Sequence, residues 1–339
     1  MKRVLCLILC MLTAAFCCAC GDEHRPTEAT DGSSATESAG QADSDGSSAV
    51  KSFMADFDDT PTVGDKIIYV DNEMTVTVHG INYAPIAGPE LHLTVSNSFG
   101  KDITVQSPYA IINGYMLTPE LSIDVPAGKS KSGNMTLRYT GLAYSGITCV
   151  RTIDFALRAV ETKSYNPIKT TDLITLKTSA AASPAEAAKE PEIEGQTAYD
   201  DKDIRILFKK PPYQPKSESG ELSPVYTEDG DAQLLVYIEN NTDRTVAVRT
   251  DDVTVNGYDL TSVMNRTVLP GKRAVDTVTF YRMDLDEYDI DAIDSIKMSF
   301  QIKDAESWET IDSTDMIAVR LRTENDDPTE ANTKPKTDE

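Results

Sequence analysis

The chain has little of what most enzymes use. Among its 339 residues there are three histidines, one tryptophan and six cysteines, and five of those cysteines fall before residue 21. If Cys6, Cys10, Cys17 and Cys18 leave with an N-terminal signal and Cys20 is modified, Cys149 stands alone. No internal disulfide is then available, so apolar cores must hold the fold. Cys149 itself is expected to be a small core residue. The histidines are His24, His79 and His92, so His-based catalysis is excluded from the second half of the chain. There is no Gly-x-Ser-x-Gly elbow, no phosphate loop and no His-Glu-x-x-His. Basic residues are scarce too, 32 against 55 acidic, for a formal charge of −23. Without Lys2 and Arg3 the balance is 30 against 55, or −25, a field that repels nucleic acid and anionic headgroups.

The N-terminus carries a positive Lys2-Arg3 pair, then an apolar run from Val4 to Phe16 broken only by Thr13, then Cys17-Cys18-Ala19-Cys20-Gly21. That is the layout of a secretory signal, with an apolar stretch too short to span a bilayer comfortably. A cysteine just after small residues resembles the lipobox of bacterial lipoproteins, with Cys17 where that box usually carries Leu. The resemblance implies a signal peptide over 1–19 and lipidation of Cys20. It also implies a site on the extracytoplasmic face of the cell membrane, in a Gram-positive bacterium, with the lipid as the membrane contact. A plain cleaved signal, an uncleaved anchor, and acylation at Cys17 or Cys18 stay open as alternatives. Two acyl chains add about 0.8 kcal/mol per buried methylene, enough for durable anchoring.

After Cys20 the composition collapses to Ser, Ala, Thr, Gly, Asp and Glu, so 20–62 reads as a lipid-anchored, disordered stalk. Residues 179–197 read as a linker and 323–339 as a disordered tail. The stretches between alternate in hydrophobicity. Met74, Val76 and Val78 alternate with Thr75, Thr77 and His79, and Leu91, Leu93 and Val95 with His92, Thr94 and Ser96. Short half-buried strands between Gly, Pro, Asn and Asp turns indicate an all-β fold.

The chain also repeats itself at an offset of 143. Asn113-Gly114-Tyr115 returns as Asn256-Gly257-Tyr258, Leu91 as Leu234, Val95 as Ile238, Asn97 as Asn240, and Thr171-Asp172 as Thr314-Asp315. Val125-Pro126-Ala127-Gly128-Lys129 is answered by Leu269-Pro270-Gly271-Lys272. Apolar meets apolar at nearly every inward position, which fixes a shared register. Two antiparallel β-sandwiches in tandem are expected, over 63–178 and 198–322, each large enough for its own core.

The run Leu234-Leu235-Val236-Tyr237-Ile238-Glu239-Asn240-Asn241-Thr242, with Asn256-Gly257-Tyr258, Pro270-Gly271-Lys272 and Ser307-Trp308-Glu309, resembles modules of clostridial and related Firmicute envelope proteins. The resemblance covers both repeats, with Tyr165 standing opposite Trp308. It implies immunoglobulin-like sandwiches of unknown function, membrane-tethered, and carries no activity with it.

Candidate sites are few. His79 and His92 sit on the polar phase of adjacent strands, where they approach one another on an outer face; surface roles outweigh a metal pair. Asp284, Asp286, Asp289 and Asp291, in a run from Asp284 to Asp294 with Glu287, are candidate calcium ligands, though the EF-hand glycine and final glutamate are missing. A solvated acidic loop is the favoured reading. Lys209-Lys210-Pro211-Pro212 opens a long loop to Asp229, read as exposed and as the place for a domain-specific contact. The chain therefore reads as a non-enzymatic surface protein without cofactor. Its expected partners are an envelope protein, peptide or glycan, and it binds no nucleic acid. The alternatives are an extracellular hydrolase using a carboxylate pair and a cation-responsive envelope protein.

Overall fold

A computed structural model describes residues 53–182, 193–211, 222–227, 229–262 and 264–321. Cys20, His24, the signal segment, the tail over 323–339 and most of the expected stalk and linker lie outside the described residues.

The described residues are mostly β, in four sheets. The first is β1 (Lys66–Val70), β2 (Met74–Ala84), β3 (Gly88–Asn97) and β8 (Ser130–Thr136), neighbours in that order. A second holds β11 (Pro167–Thr170), β10 (Arg158–Glu161), β4 (Ile103–Gln106) and β7 (Ser122–Val125). The third starts with β12 (Ile174–Lys177), β9 (Thr152–Phe155), β5 (Ala110–Ile112) and β6 (Tyr115–Leu117). It continues without a break into β20 (Lys272–Phe280), β16 (Ala232–Asn240), β14 (Ile204–Lys209) and β13 (Gly195–Asp200), with β15 (Val225–Tyr226) beside β16. In the fourth, β18 (Tyr258–Asp259) and β19 (Asn265–Val268) lie on β17 (Val246–Val255), while β22 (Thr310–Ser313) and β23 (Ile317–Val319) lie on β21 (Ile296–Asp304). Two short helices, α1 (Tyr139–Ser145) and α2 (Arg282–Glu287), close equivalent corners.

The repeat is present bond for bond. Asn97 is buried; its Nδ2 donates to the carbonyls of Lys101 and Val125, and its Oδ1 accepts from the Phe99 amide. Asn240 donates to Arg244 and Val268 and accepts from Thr242, each partner 143 positions on. Asn113 donates to the Cys149 carbonyl and accepts from Arg151 and Thr152; Asn256 does the same with Ala292, Asp294 and Ser295. Both of these asparagines, and the glycines after them, take positive φ, the Asn-Gly hairpin geometry. The Thr171 and Thr314 hydroxyls each accept a backbone amide 14 positions back, from Leu157 and Phe300. A buried amide leaves its donors unsatisfied if its carbonyl partners move, so these side chains pin the turns in both copies.

The copies differ where sequence demands it. The long β17 of the second copy, with a bulge between Thr250 and Val253, corresponds to two strands in the first, β4 and β5. Pro108 falls in the gap, at the position of Asp251, and a proline cannot donate into a ladder.

The copies are joined by an edge. The β6 strand adds to β20 in parallel, Tyr115 opposite Arg273 and Met116 opposite Ala274, and the Arg273 amide donates to the Gly114 carbonyl at 3.1 Å. The Arg266 guanidinium reaches the Met116 carbonyl at 2.6 Å. Leu207 and Tyr237 of the second copy belong to the buried cluster of the first, while Ile111 and Met116 belong to the cluster of the second. The two cores therefore interlock.

Three expectations are corrected. Residues 53–62, assigned to the stalk, join the first core: Phe53 and Phe57 are buried, with Phe57 stacked edge-on to Tyr139 at 5.2 Å. One turn of helix places these two aromatics on the same side, enough apolar area to dock a segment whose average composition is polar. The expected linker is structured at both ends, with a 3-10 turn over Ser179–Ala182, Ile193 packed on the first core and β13 beginning at Gly195. Cys149 is half-buried and not a core residue; its thiol lies 3.5 Å from Asp58, whose backbone bridges to it.

Candidate functional site

Inward Val76, Val78, Leu93 and Val95 turn their chain neighbours outward, because side chains alternate along a strand. Across β2, β3 and β8 the outer face is therefore an array of polar groups, bordered on β1 by the exposed Ile67 and Val70. The His79 ring is held between Asp65, Nδ1 to Oδ2 at 3.0 Å, and Thr94, Nε2 to Oγ1 at 2.8 Å. Thr94 Oγ1 continues to Ser132 Oγ at 2.8 Å, and Ser96 meets Ser130 at 2.7 Å. Asn82 engages His92 at 2.9 Å and Asn134 donates to Glu90 at 3.0 Å. The two histidines share a face, but each ring is bonded to other residues and not to its fellow.

Carboxylate, imidazole and hydroxyl in that order is the connectivity of an activated nucleophile. Acyl transfer also needs preorganised donors for the developing oxyanion. Thr94 lies on β3, whose backbone is bonded to β2 on one side and β8 on the other, so the neighbouring amides are committed to the sheet. What the array offers is a fixed, exposed pattern of donors and acceptors.

The second copy treats the same face differently. Thr77 is replaced by Leu207, His92 by Leu235, Thr94 by Tyr237 and Ser132 by Val275. Leu207, Leu235 and Tyr237 are buried, and the Tyr237 ring lies 6.4 Å from that of Tyr115. The position of His79 is taken by Lys209. Read from sequence as an exposed loop residue, Lys209 is buried, two positions from Leu207 on the covered face, and burial pushes its ammonium down to about 8.

The reverse holds at the Asn-Gly-Tyr turn. Tyr115 is 4 % exposed, whereas its counterpart Tyr258 is 47 % exposed and rests on Tyr288 with ring centroids 5.0 Å apart. The acidic run borders this tyrosine pair. Asp284, Asp286 and Glu287 ride on α2, Asp286 pairs with Arg282, and Asp289 takes φ 54° at the helix end, where the first copy has Gly146. Asp291 and Asp294 follow, Asp294 through its amide on the Asn256 side chain. Among the described residues, no group of three or more acids, histidines or cysteines has the geometry to hold a metal ion.

One repeated cluster escaped the sequence reading. Tyr69 donates to Asp71 at 2.5 Å, and Asp71 caps the amides of Glu73 and Met74. Tyr199 and Asp201 rebuild this turn with the amides of Asp203 and Ile204. In the first copy the Lys169 ammonium closes the cluster on Asp71. Burial pushes the Asp71 carboxyl up, but Lys169, the Tyr69 hydroxyl and two amides together hold it well below the usual carboxylate range. In the second copy Asp312 stands in place of Lys169, 2.7 Å from the Tyr199 hydroxyl. Burial, then Asp312 and Asp201, push that phenol up. The offset here is 130 rather than 143, because the second copy carries a longer connection after β14, so this cluster stands outside the 143-residue register.

No family model and no curated protein matches the chain. Among solved structures, a protein of unknown function from Porphyromonas gingivalis W83 is 11 % identical, with 69 % of this chain and 89 % of that one covered and a TM-score of 0.21. Red sea bream transglutaminase is 14 % identical over 75 % of this chain and 32 % of its own, with a TM-score of 0.20. The Salmonella enterica SafA pilin in complex with the SafB chaperone is 14 % identical over 75 % and 98 %, with a TM-score of 0.17. The chain spans about a third of the transglutaminase.

Proposed function

We propose that the chain is a lipid-anchored envelope protein in which two immunoglobulin-like sandwiches act by contact and not by turnover. Its contact surfaces are the two that the internal joint leaves uncovered: the polar outer face of β2-β3-β8 and the Tyr258–Tyr288 end of the second copy. One observation carries this reading. Each surface has a counterpart 130 or 143 positions away that is already an interface, so the frame is one that supports docking, and only the outward residues differ. The Asp65–His79–Thr94 chain is then a device that fixes side-chain directions on a recognition face.

A photoreactive phenylalanine placed at Thr94, at Tyr258 and, as control, at the exposed Ile86 tests this on cells. Adducts are expected from the first two positions above the level of the third. Adducts no more frequent than at Ile86, or hydrolysis of an ester or glycoside that Thr94→Val abolishes, would contradict it.

A further inference from the structure

We propose that copies of this chain associate head to tail, the β18 edge of one copy adding in parallel to the β8 edge of the next. The proposal rests on the contact reading above and names the occupant of both surfaces: each receives the other.

The template lies inside the molecule. There β6 meets β20 with Tyr115 opposite Arg273, Met116 opposite Ala274, and the Arg273 amide on the Gly114 carbonyl. Both halves of that joint occur a second time. Gly257-Tyr258-Asp259 repeats Gly114-Tyr115-Met116, and Lys129-Ser130-Lys131 repeats Lys272-Arg273-Ala274. Among the described residues β18 is paired only with β17, and residues 130–132 of β8 only with β3, so each has an open edge. An open edge is the commonest place for a sheet to accept another strand.

Placed in the internal geometry, the Ser130 amide meets the Gly257 carbonyl of the neighbouring copy, Tyr258 lies opposite Ser130, and Asp259 lies opposite Lys131. The residues change in step. The apolar pair Met116 and Ala274 becomes a pair of opposite charges, Asp259 and Lys131, both exposed. Tyrosine bulk is conserved but moved: the internal joint takes Tyr115 from one side and Tyr237 from the other. In the external one Tyr258 and Tyr288 come from one side and face the smaller Thr94. One pair opposes the contact, since Glu287 and Glu90 take the places of Tyr144 and Gln233, which are bonded in the internal joint. With Thr77, His92 and Ser132 instead of Leu207, Leu235 and Val275, the external contact is wet and reversible where the internal one is dry and permanent. A contact between two different surfaces of one chain does not close on itself, so the product is an open string.

Cysteine placement decides it, with the chain purified as the cell processes it. Lys131→Cys and Asp259→Cys together in one chain are expected to give a disulfide series of dimer, trimer and higher multiples. Equal parts of the two single variants should stop at a mixed dimer. Lys131→Glu should weaken association about fivefold in sedimentation, with Lys131→Glu/Asp259→Lys restoring it. Melting curves matching the parent show that the variants fold. No multiples above the single-cysteine controls, like-with-like dimers only, or insensitivity to Lys131→Glu would overturn the proposal. Photo-adducts from Thr94 and Tyr258 to another envelope molecule without such multiples would leave the contact reading standing and sink this one.

Discussion

The outer faces of β1-β2-β3-β8 and of β13-β14-β16-β20 stand on the same frame and meet different surroundings. Asn97 and Asn240 make the same three bonds to partners at the same offset, yet the faces carried by that frame share almost no chemistry. The face with Leu207, Leu235 and Tyr237 is covered by the first copy, and the face with Thr77, His92 and Thr94 is open. Duplication kept what a turn needs internally, and the outward residues changed according to what each face has to touch.

The largest expected effect separates the two faces directly. Tyr237→Ala empties a buried aromatic site in the joint and should cost about 3–5 kcal/mol, while Thr94→Ala at the equivalent position should stay within about 0.5 kcal/mol. Urea unfolding of both variants measures this, and similar losses would erase the distinction. Next comes Lys209. Its buried ammonium is disfavoured, with a folded value near 8 against an ordinary 10.5, so the folded chain holds fewer protons than the unfolded one between those values. Stability from this group therefore rises with pH across that window and is absent below it. Lys209→Met should stabilise the protein at pH 7 by roughly 3 kcal/mol and flatten the profile from pH 8 upward. His79→Met at the corresponding exposed position should change little.

The frame should behave alike in both copies. Asn97→Ala and Asn240→Ala each strand one buried carbonyl, one half-buried carbonyl and one amide, and each should cost about 2–3 kcal/mol. Losses differing by more than about 1 kcal/mol would mean that the copies are not mechanically equivalent. The smallest effect concerns the tyrosine–aspartate turns. Asp312→Lys gives the second copy the cation that the first has in Lys169, and should stabilise only slightly, since solvent screens a pair at the surface. It should also relax the Tyr199 phenol toward its ordinary value, which ultraviolet titration would follow.

Much of this was legible from sequence. Period-two alternation located β2, β3 and their partners, and the offset of 143 paired elements whose hydrogen bonds do coincide. What escaped were features that composition averages out or that depend on distant partners. Two phenylalanines in a polar stretch were enough to dock residues 53–62. Asn113-Gly114-Tyr115 and Asn256-Gly257-Tyr258 read the same, yet Tyr115 is covered by a strand some 160 positions away and Tyr258 is not. Lys209 read as a loop residue because its neighbours are lysine and prolines, while its burial comes from the face shared with Leu207. The bonds of Asp65, Thr94 and Ser132 are not legible in the sequence, because cross-strand partners are set by register.

The claim that one frame carries a closed edge and an open one is tested most directly by amide exchange at Arg273 and Ser130, the same position in the two copies. In protein too dilute to associate, the Arg273 amide, bonded to Gly114, is expected to exchange at least about a hundredfold more slowly than that of Ser130. Equal exchange at the two amides would contradict it.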